Sequence, residues 1–114
     1  MTKNIHKLAL STLVFIAASS PSGAFMNTEQ LKSVCEAGLA HPSIDNPRYA
    51  LCTGLAMGIL MADALESHRI CLPSNVDTRE GLGTFVARAA EERDKDIEGL
   101  VTMFRAFAEK YPCN

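Results

Sequence analysis

From Tyr49 to Ala62 the chain carries no charged side chain, while charged and polar residues recur every few positions after it. Within that window Leu51, Leu55, Met57, Ile59, Leu60 and Met61 go nearly all the way round a helix. That distribution predicts a central helix surrounded by partners rather than a one-faced surface helix. Asn46 can cap its start and Pro47 suits the first helical position, where a missing N–H costs nothing. The pattern carries the helix to about His68, where it ends in the polar run Glu66-Ser67-His68-Arg69. Gly54, Gly58 and Ala62 fall four apart and make a smooth stripe. Glycine costs about 1 kcal/mol relative to alanine inside a helix, so the stripe predicts close approach of a neighbouring backbone, and Gly58→Leu is expected to damage folding. Fourteen uncharged residues are too few to span a bilayer.

The same periodicity predicts three further helices. Leu31, Val34, Cys35, Gly38 and Leu39 form a buried helical stripe after a capping box at Asn27 and Gln30, and His41-Pro42 ends it. Asp77 caps a third helix, with Glu80 in the capping-box position and a stripe of Leu82, Phe85, Val86, Ala89 and Ala90. The run Glu91 to Glu98, EERDKDIE, is read as a break, with Asp94 able to cap a fourth helix. One uninterrupted helix from Asp77 to Tyr111 would be far longer than average. The last helix places Ile97, Leu100, Val101, Phe104, Phe107, Ala108 and Tyr111 on one face, and Pro112 stops it. No stretch alternates in the manner of a strand. The fold class is all-α, a small four-helix bundle with short connections and mostly antiparallel neighbours.

The beginning of the chain changes the domain count. Lys3 and Lys7 precede the apolar run Leu8 to Ala18, and Ser22-Gly23-Ala24 supplies the small residues of a cleavage site. Residues 1–24 therefore read as a signal peptide cut after Ala24, and residues 25–114 as one helical domain. Lys3 and Lys7 leave with the leader. Nine basic and thirteen acidic residues remain, a net charge of −4. No Lys/Arg block points to nucleic acid, and an acidic surface leaves room for a basic protein partner.

All four cysteines, Cys35, Cys52, Cys71 and Cys113, lie in the mature part. In a short exported chain they read as two disulfides. No C-x₂₋₄-C or H-x₃₋₅-H spacing supports zinc, and no metal or cofactor is expected. Three pairings are possible. Cys35 precedes the end of the first helix by about as much as Cys52 follows the start of the second, so an antiparallel pair sets them level. Cys71 and Cys113 each follow a helix end, and in an up-down-up-down bundle those two ends share a pole. The expected pairs are Cys35–Cys52 and Cys71–Cys113.

The same residues offer little catalytic chemistry. Asp63, Glu66 and His68 resemble an acid–base cluster but read better as a solvated helix end. His41 is a loop residue before Pro42. Met57 and Met61 read as core filler rather than a soft-metal site. There is no G-x-S-x-G elbow, phosphate loop, dinucleotide fingerprint or C-x-x-C. The sequence argues for a protein that binds rather than an enzyme.

The marks along the chain come in a distinctive order. A helix holds Leu31-Lys32-Ser33-Val34-Cys35. Cys52-Thr53-Gly54-Leu55-Ala56-Met57-Gly58 forms a C-x-G-x-x-x-G pattern with Asp63 a little later. Cys71-Leu72-Pro73 precedes a polar turn and a capped helix, and Tyr111-Pro112-Cys113 closes the chain. This set resembles the Rap/Tai family of type VI secretion immunity proteins over essentially the whole mature part. Leu55 departs from the aromatic that often follows that glycine in the family. The resemblance implies a periplasmic protein, homodimeric in related cases, that binds a cognate peptidoglycan amidase effector and inhibits it by occluding its active site. The matching residues are scaffold ones, so it transfers no binding residue.

Contacts with such an effector are expected outside the apolar stripes, in three polar segments. These are the loop His41–Arg48 with His41, Asp45 and Arg48, the turn Leu72–Asp77 with Asn75, and the acidic run Glu91–Glu98 with Glu92 and Asp94. The alternative function is a small periplasmic acid-stress chaperone. Thirteen carboxylates and the two mature histidines give it the means to respond to acid.

Overall fold

The computed structural model describes residues 26–114, so the leader and its cleavage point lie outside the described residues. Four helices form: α1 Thr28–Ala40, α2 Pro47–Leu65, α3 Thr78–Glu91 and α4 Gly99–Lys110. The described residues form no strand, only the isolated bridges Asn27–Glu98 and Ile70–Pro112. The all-α reading and both disulfides, Cys35–Cys52 and Cys71–Cys113, are present.

The caps are where the sequence places them. Asn27 and Gln30 complete the capping box of α1. The Asn46 side chain accepts from Arg48 N at the start of α2 and donates to His41 O at 3.0 Å, which closes the α1–α2 connection on itself. Asp77 accepts from Glu80 N at 2.8 Å. The break between α3 and α4 is also real, but Asp94 does not cap α4. It accepts from Asp96 N within the connection, and Glu98 is the cap residue of α4 without a side-chain bond. α2 ends earlier than expected, at Leu65.

The helices form two antiparallel hairpins. Cys35–Cys52 ties α1 to α2. Thr84 and Tyr111 hydroxyls meet at 3.2 Å, and Arg88 bonds Glu109 at 3.0 Å, tying α3 to α4. The hairpins join at two places. Thr28 N donates to Ile97 O and Gly99 N to Met26 O, both at 2.8 Å, so α1 and α4 start side by side. A strict up-down-up-down order would set those two ends at opposite poles. Thr28 Oγ1 donates its proton to Ile97 O at 2.8 Å, so the Thr102 hydroxyl must donate in the buried 2.7 Å contact between the two threonines. At the second junction the ends of α2 and α4 meet, as expected, through Cys71–Cys113 and through Cys71 N donating to Tyr111 O.

The core gathers Leu31 and Cys35 from α1, Cys52 and Ala56 from α2, Leu82, Phe85 and Ala89 from α3, and Met103, Ala106 and Phe107 from α4. Two readings need correction. On α4 the buried face is Thr102, Met103, Ala106 and Phe107, whereas Val101 is exposed and Leu100, Phe104 and Ala108 are half-buried. The helix is turned from the expected face because its start is pinned to α1 through Gly99 and Thr102. On α3, Ala90 is exposed.

The larger correction concerns α2. It buries only Cys52, Ala56 and Asp63. Leu51 is 45 % exposed, Met57 51 %, Met61 63 % and Leu65 81 %, so the two methionines are not core filler. A Cβ added at Gly54 or Gly58 would meet nothing within 4 Å. The close backbone approach exists elsewhere. A Cβ at Gly38 would lie 2.8 Å from both Tyr49 Cα and Tyr49 N, where the start of α2 presses on the end of α1. A Cβ at Gly99 would likewise lie 2.8 Å from Leu31 side-chain atoms.

Candidate functional site

One carboxylate organises the surface near the end of α2. Asp63, expected at a solvated helix end, is buried. Its Oδ1 accepts from Ser67 Oγ and from Arg69 N, each at 2.8 Å, and its Oδ2 accepts from Ile70 N at 2.9 Å. His68, with φ 51°, takes the left-handed conformation that reverses the chain over this carboxylate. The signal in the sequence was an acid directly after fourteen uncharged residues, with Ser67 one turn later.

Burial pushes the Asp63 carboxyl upward, but the three donors, helped by His68, hold it below its ordinary value. Its folded pKa thus lies below its unfolded one. The stability it contributes is complete above the unfolded carboxylate value, about 3.9, and is lost as pH falls through the folded value. Asp63→Asn presents an amide N–H₂ where only acceptors fit. The variant is expected to unfold at lower urea than the parent at pH 7 and to lose less of its stability on acidification to pH 2. Equal urea midpoints at pH 7 would contradict this role.

The turn held by Asp63 positions Arg69. Its carbonyl accepts from Cys113 N at 3.3 Å, and its guanidinium lies 5.4 Å from the centre of the Phe104 ring, within cation–π range. Arg69 and Phe104, with Leu100, Val101, Arg105 and Ala108, line an open groove of about 750 Å³ along α4 that Glu98 and Glu109 border. Of these α4 residues Val101 is exposed, while Leu100, Phe104 and Ala108 pack half-buried against the core and reach the groove beside two arginines in an acidic domain. A smaller apolar recess of about 160 Å³ lies between α2 and the start of α3, lined by Met57, Leu60, Leu72, Val76 and Leu82 among others.

The six residues expected to contact a partner do not form one site. His41, Asp45 and Arg48 are exposed together in the α1–α2 connection. Glu92 and Asp94 lie in the α3–α4 connection, which is bonded to the opposite end of α1 through Thr28. The 13 residues of α1 separate the two groups by about 20 Å at 1.5 Å per residue. Asn75 occupies a third corner before α3. Glu92 is engaged locally. It accepts from Asp94 N and pairs with Arg88, and these bonds lower its pKa against the effect of burial. The Arg69–Phe104–Arg105 groove has no counterpart among the expected sites, because the periodicity of α4 places its exposed face in the core.

Among the described residues no group of three His, Cys, Asp or Glu side chains is placed to hold a metal ion. All four cysteines are in disulfides, which suits an oxidising compartment. Compared with protein-family models, curated proteins and solved structures, the chain matches none of them.

Proposed function

We propose that this protein is a periplasmic immunity protein that binds a cognate type VI-secreted peptidoglycan amidase and inhibits it by occluding its active-site cleft, with no chemistry of its own. The observation that carries this reading is the ordered scaffold C-x-G-x-x-x-G, C-x-P and Y-P-C behind a signal-peptide pattern, with the four cysteines paired Cys35–Cys52 and Cys71–Cys113. Two disulfides suit a small domain working in the periplasm.

The groove on α4 supplies the surface this role needs. Arginine and aromatic side chains are the residue types that dominate binding energy when a partner desolvates them. The backbone of Arg69 is held by Asp63 and by its bond to Cys113 N, so the chain at that point needs no ordering on binding. The acidic α3–α4 connection continues this surface at Glu98 and suits the rim of a partner with basic groups. The test is a pull-down with the amidases encoded beside this gene, together with periplasmic co-expression. Retention of one amidase and rescue of cells from lysis are expected. Absence of both, for every neighbouring amidase, would contradict the reading.

The exposed apolar side chains of α2 favour a second reading, a small acid-stress chaperone that uses them to hold unfolding clients. That reading requires suppression of client aggregation at pH 2–3, which an immunity protein has no reason to show.

A further inference from the structure

The two disulfides sit in opposite surroundings. Cys35 and Cys52 are both fully buried in the core. Close to them α1 and α2 press together at Gly38 and the Tyr49 backbone, which leaves no room for a reagent between the helices. Cys71 is exposed and Cys113 half-buried, both outside the helices. Thiol–disulfide exchange requires a thiolate to reach a sulfur of the bridge, so access separates labile bridges from inert ones.

The exposed bridge is one of the two junctions between the hairpins, and what it holds is local. Beside it Cys71 N donates to Tyr111 O at 2.8 Å, Cys113 N donates to Arg69 O at 3.3 Å, and Ile70 pairs with Pro112. The chain on either side has anchors of its own. Tyr111 is buried with its hydroxyl 3.2 Å from that of Thr84, and the Asp63 carboxylate holds Arg69 N and Ile70 N. The other junction, at Thr28 and Gly99, does not involve the bridge. Opening Cys71–Cys113 therefore frees Pro112 to Asn114 and the carbonyl side of Arg69, while the helices keep their places. Arg69 is the residue whose guanidinium lies over the Phe104 ring and lines the α4 groove. We infer that Cys71–Cys113 is a thiol-exchange site, opened by a reducing dithiol while Cys35–Cys52 stays closed, and that opening it loosens the Arg69 wall of the α4 groove.

The reaction balances with the dithiol alone. One of its thiolates attacks Cys71 Sγ, on the more exposed residue of the pair. The S–S bond breaks, its electron pair goes to Cys113 Sγ, which takes a proton, and Cys71 is left in a mixed disulfide with the reagent. The second thiol of the reagent, as a thiolate, attacks the reagent's own sulfur in that mixed disulfide. The reagent closes to a disulfide and releases Cys71 as a thiolate, which takes a proton. The bridge has gained two electrons and two protons, and the dithiol has lost them. The exchange does not rest on the amidase reading. Only the consequence of a loosened groove for a partner does.

Dithiothreitol, added without denaturant to the folded, oxidised protein at about pH 8 where thiolate is available, tests this. Samples quenched with iodoacetamide at intervals are mapped by peptide mass. Cys71 and Cys113 are expected to be modified together and at least about tenfold faster than Cys35 and Cys52, because the buried bridge reacts only when the domain opens. A species with one bridge accumulates and keeps its helical circular dichroism. In NMR spectra of that species, the Arg69 Nε–H signal, displaced in the oxidised protein by the Phe104 ring, is expected to move towards that of a free arginine side chain. Equal rates at all four cysteines, or earlier modification of Cys35 and Cys52, overturn the exchange site. Resistance of both bridges until urea unfolds the domain does the same. An Arg69 signal that stays in place once Cys71–Cys113 is open overturns the loosening of the groove.

Discussion

Replacing Cys71 and Cys113 together with serine lowers the unfolding free energy by about 4 kcal/mol, and replacing Cys35 and Cys52 lowers it by about 3 kcal/mol. The difference comes from the loops that the two bridges close. Cys71–Cys113 spans 42 residues and Cys35–Cys52 spans 17, and the cross-link removes more entropy from the unfolded chain when the loop is longer. For a domain of this size, either loss is a large share of a total that is itself only several kcal/mol. The Cys71–Cys113 pair has a second consequence. Arg69 is two residues before Cys71, and its carbonyl bonds Cys113 N, so the same double substitution loosens the wall of the α4 groove. Urea denaturation at pH 7 gives the energies. A loss below about 1 kcal/mol for the longer loop would mean that the core holds the end of α2 without the bridge.

The second large effect comes from a pair of glycine substitutions with opposite outcomes. Gly38→Leu is expected to cost about 3 kcal/mol or more, because the new Cβ would sit 2.8 Å from the Tyr49 backbone. Backbone cannot turn aside as a side chain can, and the collision falls between the disulfide and the start of α2. Gly58→Leu is expected to cost nothing, and to gain up to about 1 kcal/mol of helix propensity, since its Cβ would enter open space. Thermal melts of the two variants check the contrast. A destabilised Gly58→Leu would put a neighbour on the exposed face of α2 within the single chain.

That contrast also shows where the sequence was readable. Caps were legible because their chemistry is local. Asn27 with Gln30, Asn46 before Pro47 and Asp77 before the third helix need only residues a few positions away. The disulfides were legible because loop lengths and helix ends constrain which cysteines can meet. Faces were less so. The all-round hydrophobicity of α2 looked like burial, but a chain with one buried face and one sticky exposed face has the same composition. Periodicity sees hydrophobic residues and not their neighbours. On α4 the apolar residues cover more than one face, and the choice among them was made by Gly99 and Thr102 against α1. Both contacts span about seventy residues of chain and leave no local trace. The groove at Arg69 and Phe104 was hidden for the same reason, since it exists only because α4 leaves Phe104 half-buried at the edge of the core and the turn over Asp63 brings Arg69 beside it.

The protein is thus a rigid scaffold whose proposed work is done by binding at the α4 groove. Titration of the purified protein into the cognate amidase, followed by loss of peptidoglycan cleavage, tests that most directly. Stoichiometric inhibition is predicted for the parent. The variant carrying Arg69→Glu and Arg105→Glu, folded as judged by an unchanged melting curve, is predicted to need at least about a hundredfold more protein, the loss of roughly 3 kcal/mol expected of two central arginine contacts. Full inhibition by that variant would contradict the placement of the site on α4. No inhibition by the parent, with any amidase encoded beside it, would contradict the immunity role itself.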